Sequence, residues 1–246
     1  MAITVVRQAT TIDSSSNVAS PQFTGTPTAG NDIIVPCHSF DAGDAAPGTC
    51  ADNASGGSNS YASNIYGENA GQVCAAQIFR AEVNNTLSNL TVTVTASTGS
   101  IVCATAIEVS DLAVTPVDIT TSVVNDTTSP WTLATGTLAQ ADEIIVAAFC
   151  FEASGFGDWG LAVDSWSGSS PTTLYVNDGA GVNSEYGAAA YLIVSSTASK
   201  TVSFSAADNG GVSVVVLATY KAFVAETPTT GSLGDFDPLM RREAWF

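Results

Sequence analysis

The chain has 246 residues and a formal net charge of −17, from 23 acidic and 6 basic side chains, and only 12% of its residues are charged. That balance argues against a nucleic-acid binder, because phosphate neutralisation needs a basic stripe. Arg7, Arg80, Lys200, Lys221, Arg241 and Arg242 are scattered apart from the last pair. The low charge content, against roughly 25% in an average soluble domain, implies a surface of Ser, Thr, Asn and Gly, suited to short strands or to a subunit covered by neighbours.

The opening Met1-Ala2-Ile3-Thr4-Val5-Val6-Arg7 has no basic start, apolar stretch or small-residue cleavage site of a signal peptide. No run approaches the roughly 20 apolar residues of a membrane helix. Helix signals are nearly absent, because Gly, Thr and Ser interrupt any apolar spacing at i, i+3, i+4 and i+7. Strands are predicted instead over 32–40, 72–83, 90–96 and 101–109, and again over 143–151, 188–195, 201–206 and 211–220. Thr91-Val92-Thr93-Val94-Thr95 alternates strictly, so one of its faces is buried and the other wet. Residues 97–100 and 208–211 read as hairpin turns, the second through Asn209-Gly210. Many short strands with frequent turns indicate an all-β, jelly-roll-like sandwich.

The chain also repeats. Residues 4–40 align without a gap on residues 115–151, with identities that include Thr24-Gly25-Thr26 on Thr135-Gly136-Thr137 and Ile33-Ile34-Val35 on Ile144-Ile145-Val146. The expected organisation is a first β-sandwich repeat over 1–112, a second over 113–223, and an extended C-terminal arm over 224–246. Whether each repeat closes its own sandwich or both share one body is open, with little linker around 111–117 favouring a shared or tightly abutted body. The halves differ most at a loop: 41–60 is almost devoid of apolar residues, whereas 153–173 carries Phe156, Trp159 and Trp166.

No catalytic constellation emerges. His38 is the one histidine; on a strand, its neighbour Ser39 points to the opposite face, so a structural role fits it best. Cys37, Cys103 and Cys150 fall in strand-like segments and read as small buried hydrophobes. Cys50 and Cys74 could pair with each other, or Cys50 with a neighbouring subunit. Glu143, Glu152, Asp158, Asp164, Asp178 and Glu185 could supply a glycosidase-type pair, but no spacing selects two of them. Asp41 to Asp44 and Asp52-Asn53 could touch calcium, yet no closing-Glu loop is present. Neither a cofactor nor a metal is expected. Two features stand out. Trp159, Trp166, Tyr175 and Tyr186 could stack on sugars or cap the core. Phe236, Leu239, Met240, Trp245 and Phe246 surround Arg241 and Arg242, a composition typical of binding hot spots.

The order Gly30-Asn31-Asp32-Ile33-Ile34-Val35, Gln77-Ile78-Phe79-Arg80, Thr91 to Thr95, Ala106-Ile107-Glu108-Val109 and the stretch from Asp111 to Thr120, followed by the whole cycle again, resembles the duplicated β-sandwich modules encoded among structural genes of tailed bacteriophages and prophages. The resemblance covers residues 1–223. It implies a non-enzymatic virion protein, foremost a capsid decoration or head-fibre subunit, made in the host cytoplasm without a signal peptide and located in the virion. Its expected partners are other capsid or tail subunits and copies of itself, held through the arm. Nucleic acid and membrane are not expected partners. The alternative it implies is a tail or baseplate appendage that binds host surface glycans through Trp159, Trp166 and Tyr175.

Overall fold

The computed structural model describes residues 2–12, 16–40, 47–69, 71, 73–96, 101–152, 160–177, 185–207 and 212–224. In the first half these residues form β1 (Thr4–Ile12), β2 (Val18–Ala19), β3 (Asp32–Phe40), β4 (Pro47–Asp52), β5 (Ala62–Glu68), β6 (Cys74–Glu82), β7 (Val92–Ala96) and β8 (Ile101–Ser110). In the second they form β9 (Leu112–Asp126), β10 (Trp131–Ala134), β11 (Asp142–Glu152), β12 (Ala162–Val163), β13 (Thr172–Asn177), β14 (Glu185–Ser195), β15 (Thr201–Ser205) and β16 (Ser213–Ala222). Every strand expected from the sequence has its counterpart here. The alternating segment behaves as expected: Val92 and Val94 are buried while Thr93 and Thr95 are partly wet. β4 and β12 lie in stretches that read as loops, because Pro47-Gly48-Thr49-Cys50-Ala51-Asp52 offers no apolar alternation. The two expected hairpin turns fall outside the described residues.

Each half pairs a five-stranded with a three-stranded antiparallel sheet. The orders are β1-β8-β3-β6-β5 and β2-β7-β4 in the first half, and β9-β16-β11-β14-β13 and β10-β15-β12 in the second. Adding eight to each label converts the first half into the second. The pairings β1–β8, β2–β7 and β3–β6 are those of an antiparallel ribbon rolled into a jelly roll. β5 departs from that scheme by joining the edge of β6 rather than β4.

The inner strands of both five-stranded sheets are covered on both faces, while the edge strand β1 leaves one face to solvent. In each half one face packs against that half's own three-stranded sheet. Ile33, Val35 and Cys37 thereby meet Val92 and Val94 in the first half, and Phe149 and Phe151 meet Trp131 and Phe204 in the second. The opposite faces pack against each other in a third core that joins Ile34, Ile78 and Ile107 to Ile144, Val146 and Val216. The result is four layers and three cores, so each half closes its own sandwich and the two abut through a shared core. Burial on both faces explains the unbroken apolar runs of β3, β8, β11 and β16. Each fully buried Ile or Val in these layers contributes about 1.5–3 kcal/mol.

The shared core has the contact pattern of a two-fold. β5 lies on β9 and β13 lies on β1; β5 lies on β16 and β13 on β8; β6 lies on β11 and β14 on β3. These three contacts are reciprocated by the strands eight labels away, as in an isologous interface, whereas β6 also lies on β16 without a counterpart of like extent between β14 and β8. Here the two surfaces belong to one chain.

The ungapped sequence match does not survive at the level of side chains. Ile33 faces the first half's outer core, but its aligned partner Ile144 faces the shared core; Ile34 and Ile145 are exchanged in the same way. A one-residue shift inverts the two faces of a strand, so β3 and β11 correspond one residue away from the alignment. The turns before them also differ. Gly25 and Gly136 both adopt positive φ, 88° and 76°, so the match holds there. The first half then adds Gly30 at φ 86°, and the second half has no such residue among those described between Gly136 and β11.

Candidate functional site

The residues expected to act lie in three places. Phe236, Leu239, Met240, Arg241, Arg242, Trp245 and Phe246 of the arm, and Trp159 of the aromatic loop, fall outside the described residues. So do Asp41, Asp44, Asp158 and Asp178. The remaining aromatic candidates are inside the protein. Trp166, Tyr175 and Tyr186 are 0%, 4% and 0% exposed, so none presents a ring face to a sugar. Trp166 meets Phe204 edge-on, with centroids 6.3 Å apart, and its Nε1–H donates to the Ser203 carbonyl at 3.4 Å. Tyr186 packs on Phe151, which with Phe149 packs on Trp131. The aromatic difference between the halves is therefore a difference in core filling. The second half packs its outer core with large rings, whereas the first uses Phe23 and Phe79 among Val, Ala and Leu.

Polar side chains concentrate at the seam between the halves. His38 of β3 projects onto β14, where its ring lies flat against Gly187. A Cβ placed on Gly187 would sit 2.6 Å from His38 Cγ, with Nδ1 and Cε1 nearer still. Gly within a strand marks such a close approach, and the run Gly187-Ala188-Ala189-Ala190 is the sequence signal for it. His38 Nδ1 and the Tyr175 hydroxyl are hydrogen-bonded at 2.8 Å. Burial lowers the His38 pKa to about 3, so the imidazole is neutral at pH 7, and it raises the Tyr175 pKa well above its usual value. Tyr220 donates its hydroxyl proton to Asn64 Oδ1 at 2.8 Å, and Asn177 Nδ2 lies 3.6 Å from Cys103 Sγ. These contacts link β3 to β13, β16 to β5 and β13 to β8. Buried polar pairs of this kind fix one relative placement of two apolar faces that could otherwise slide.

The seam also resolves the cysteines. All five are free thiols. Cys50 lies in the outer three-stranded sheet and packs on the outer core, while Cys74 faces the shared core on the far side of the five-stranded sheet. The Cys50–Cys74 bridge that the sequence left open is therefore excluded by the sheet between them. Cys74 instead meets Cys150 of the other half.

The buried charges have structural partners. Glu108 accepts from the Thr28 amide at 2.8 Å and from Asn31 Nδ2 at 2.6 Å, and pairs with Arg7 at 2.5 Å. Asp32 pairs with Arg80 at 2.5 Å, yet burial outweighs the guanidinium and raises the Asp32 pKa to about 6. Burial also raises the pKa of Glu143, against the Gln140 amide and the Thr219 hydroxyl, which favour the carboxylate; neighbouring Asp118 adds to the rise. Asp164 accepts from the Ser203 and Ser205 hydroxyls, both at 2.7 Å. Asp52, a calcium candidate, instead accepts from the Ala54 and Asn59 amides, Asn59 Nδ2 and the Tyr61 hydroxyl. Its oxygens clamp a loop. Among the described residues no cluster of three or more His, Cys, Asp or Glu side chains is arranged to hold a metal.

No family model, curated protein or solved structure matches this chain.

Proposed function

We propose that this chain is a non-enzymatic structural subunit of a tailed-phage virion, a capsid decoration or head-fibre protein held to its particle by residues 224–246. One observation carries the reading: a duplicated jelly roll in which His38, Trp166, Tyr175 and Tyr186 are all used for packing. The outward faces are left to residues such as Thr93, Thr95, Thr201, Ser203 and Ser205. The jelly roll recurs among viral capsid and lectin domains, which supports the assignment by analogy of fold. The resemblance to duplicated phage modules supplies the virion context. Other capsid subunits and further copies of the chain are the partners of this reading. The hot-spot composition of the arm makes it the anchor.

Deleting residues 224–246 is expected to leave a folded body with an unchanged thermal midpoint and to abolish its incorporation into particles. Full incorporation of the truncated chain would overturn the anchor. The glycan-binding alternative has only Trp159 left of its three rings, since Trp166 and Tyr175 are buried. Glycan-array binding by the full chain that is lost in Trp159→Ala would restore it; no saturable binding is the expected result.

A further inference from the structure

We propose that Cys74 and Cys150 form a latent disulfide site that covalently joins the two halves across their seam. Cys74 is the first residue of β6 in the first half, and Cys150 lies near the end of β11 in the second. Both are buried in the shared core. The contacts are reciprocal. Cys74 Sγ lies 3.9 Å from the Cys150 carbonyl oxygen and 3.6 Å from that of Val212. Cys150 Sγ lies 3.5 Å from the carbonyl oxygen of Ser39, whose neighbour Phe40 is the strand partner of Cys74. Each thiol thus reaches the backbone that carries or flanks the other, and the two side chains share one site.

The other thiols are placed differently. Cys37 points to the outer face of β3 and donates to the Gln77 carbonyl at 3.5 Å, and Cys50 packs in that same outer core. Cys103 shares the core and lies near Cys150, but it has Asn177 beside it, and it is the Cys74 thiol that is hydrogen-bonded to the Cys150 thiol. Cys74 and Cys150 are therefore the pair of thiols in direct contact across the halves. Burial, reinforced by the Cys74 thiol, holds the Cys150 thiol well above its usual pKa, so that thiol is unreactive while the core stays closed. Oxidation requires the strand ends to open. Cys74, at the start of β6, is then the first to be exposed.

A low-molecular-weight disulfide such as oxidised glutathione completes the chemistry. The Cys74 thiolate, having lost its proton to solvent, attacks one glutathione sulfur and expels a glutathione thiolate. Cys150 then loses its proton, attacks the Cys74 sulfur of the mixed disulfide and expels the second glutathione. The protein gives up two electrons and two protons, and the oxidant becomes two reduced glutathiones. Closing a long loop in this way stabilises the folded state, mainly by restricting the unfolded chain.

The full-length protein, incubated with oxidised glutathione in urea just below its unfolding midpoint and then returned to buffer, is the test. Non-reducing peptide mapping is expected to recover a Cys74–Cys150 linked peptide. The thermal midpoint is expected to rise by roughly 5–15 °C and to return to its starting value with dithiothreitol. Cys50→Ser should retain both effects and Cys150→Ser should lose both. Peptide maps showing another pair, such as Cys37–Cys50, or both thiols still free to alkylate, would overturn the proposal without need of any variant.

Discussion

Gly187→Ala is expected to destabilise the protein by about 3 kcal/mol, although it adds a single methyl group to an apolar strand. Overpacking a well-filled core typically costs about 1–3 kcal/mol, and this site lies at the upper end because the ring cannot step aside. His38 Nδ1 is tied to Tyr175, which is itself buried beneath the seam. The added Cβ would overlap three atoms of the imidazole. A second substitution separates this clash from any intrinsic effect of alanine in β14. His38→Ala alone removes packing and leaves the Tyr175 hydroxyl without its imidazole partner, a loss of roughly 2–4 kcal/mol. Combined with Gly187→Ala it also removes the obstacle, so the double variant should cost less than the sum of the singles by about 2 kcal/mol or more. Urea unfolding of the four proteins measures this coupling. Additivity within ~0.5 kcal/mol would show that the two residues do not oppose each other across the seam.

Acid should weaken the same contact. The His38 pKa is about 3 in the folded protein against an ordinary 6.5, so the folded state binds fewer protons than the unfolded one between those values. The stability associated with neutral His38 is therefore complete above pH 6.5 and is lost as pH falls through the window from 6.5 to 3. Linkage gives a loss of about 3 kcal/mol between pH 7 and pH 4. Asp32, with a folded pKa of about 6, works in the opposite sense: its stabilisation is complete below its ordinary value and is lost as pH rises through 6. Glu143, also raised, has the same sign as Asp32. The net profile of the unmodified chain is consequently shallow and conceals the histidine. His38→Asn exposes it, because Asp32 and Glu143 contribute equally to both proteins. The stability difference between the unmodified chain and His38→Asn should shift by about 3 kcal/mol against the unmodified chain on going from pH 7 to pH 4. A difference that stays constant with pH would mean that His38 is not held neutral.

The buried polar set also bears on why the two halves behave as one body. Their apolar faces would bind in several registers of similar energy if Ile, Val and Ala alone met. His38 with Tyr175, and Tyr220 with Asn64, select one register, because displacement would leave buried donors or acceptors without partners. These pairs are not repeated in kind by the pseudo-two-fold: where Tyr220 of β16 meets Asn64 of β5, the counterpart strands β8 and β13 place Cys103 beside Asn177. A fused pair of halves can keep such one-sided contacts; two identical chains would have to repeat each contact twice.

The sequence by itself determined the all-β class, the duplicated strand order and the span of the central strands. Those features follow from local pattern: β-branched and small apolar runs, strict alternation over β7, and glycine at the repeated turn. The length of the apolar runs also carried a signal for burial on both faces, visible in β3, β11 and β16. Only the tertiary structure decided what covers those faces. Whether Trp166 and Tyr175 serve a ligand or a core depends on Phe204 and on His38, which lie far away in sequence. Likewise Cys74 meets Cys150 and not Cys50, because the intervening sheet sets which side of β6 each thiol can reach. A local pattern records which side chains avoid water. The partner that excludes the water is chosen by how distant strands stack, and a one-residue difference in correspondence exchanges the two faces of a strand.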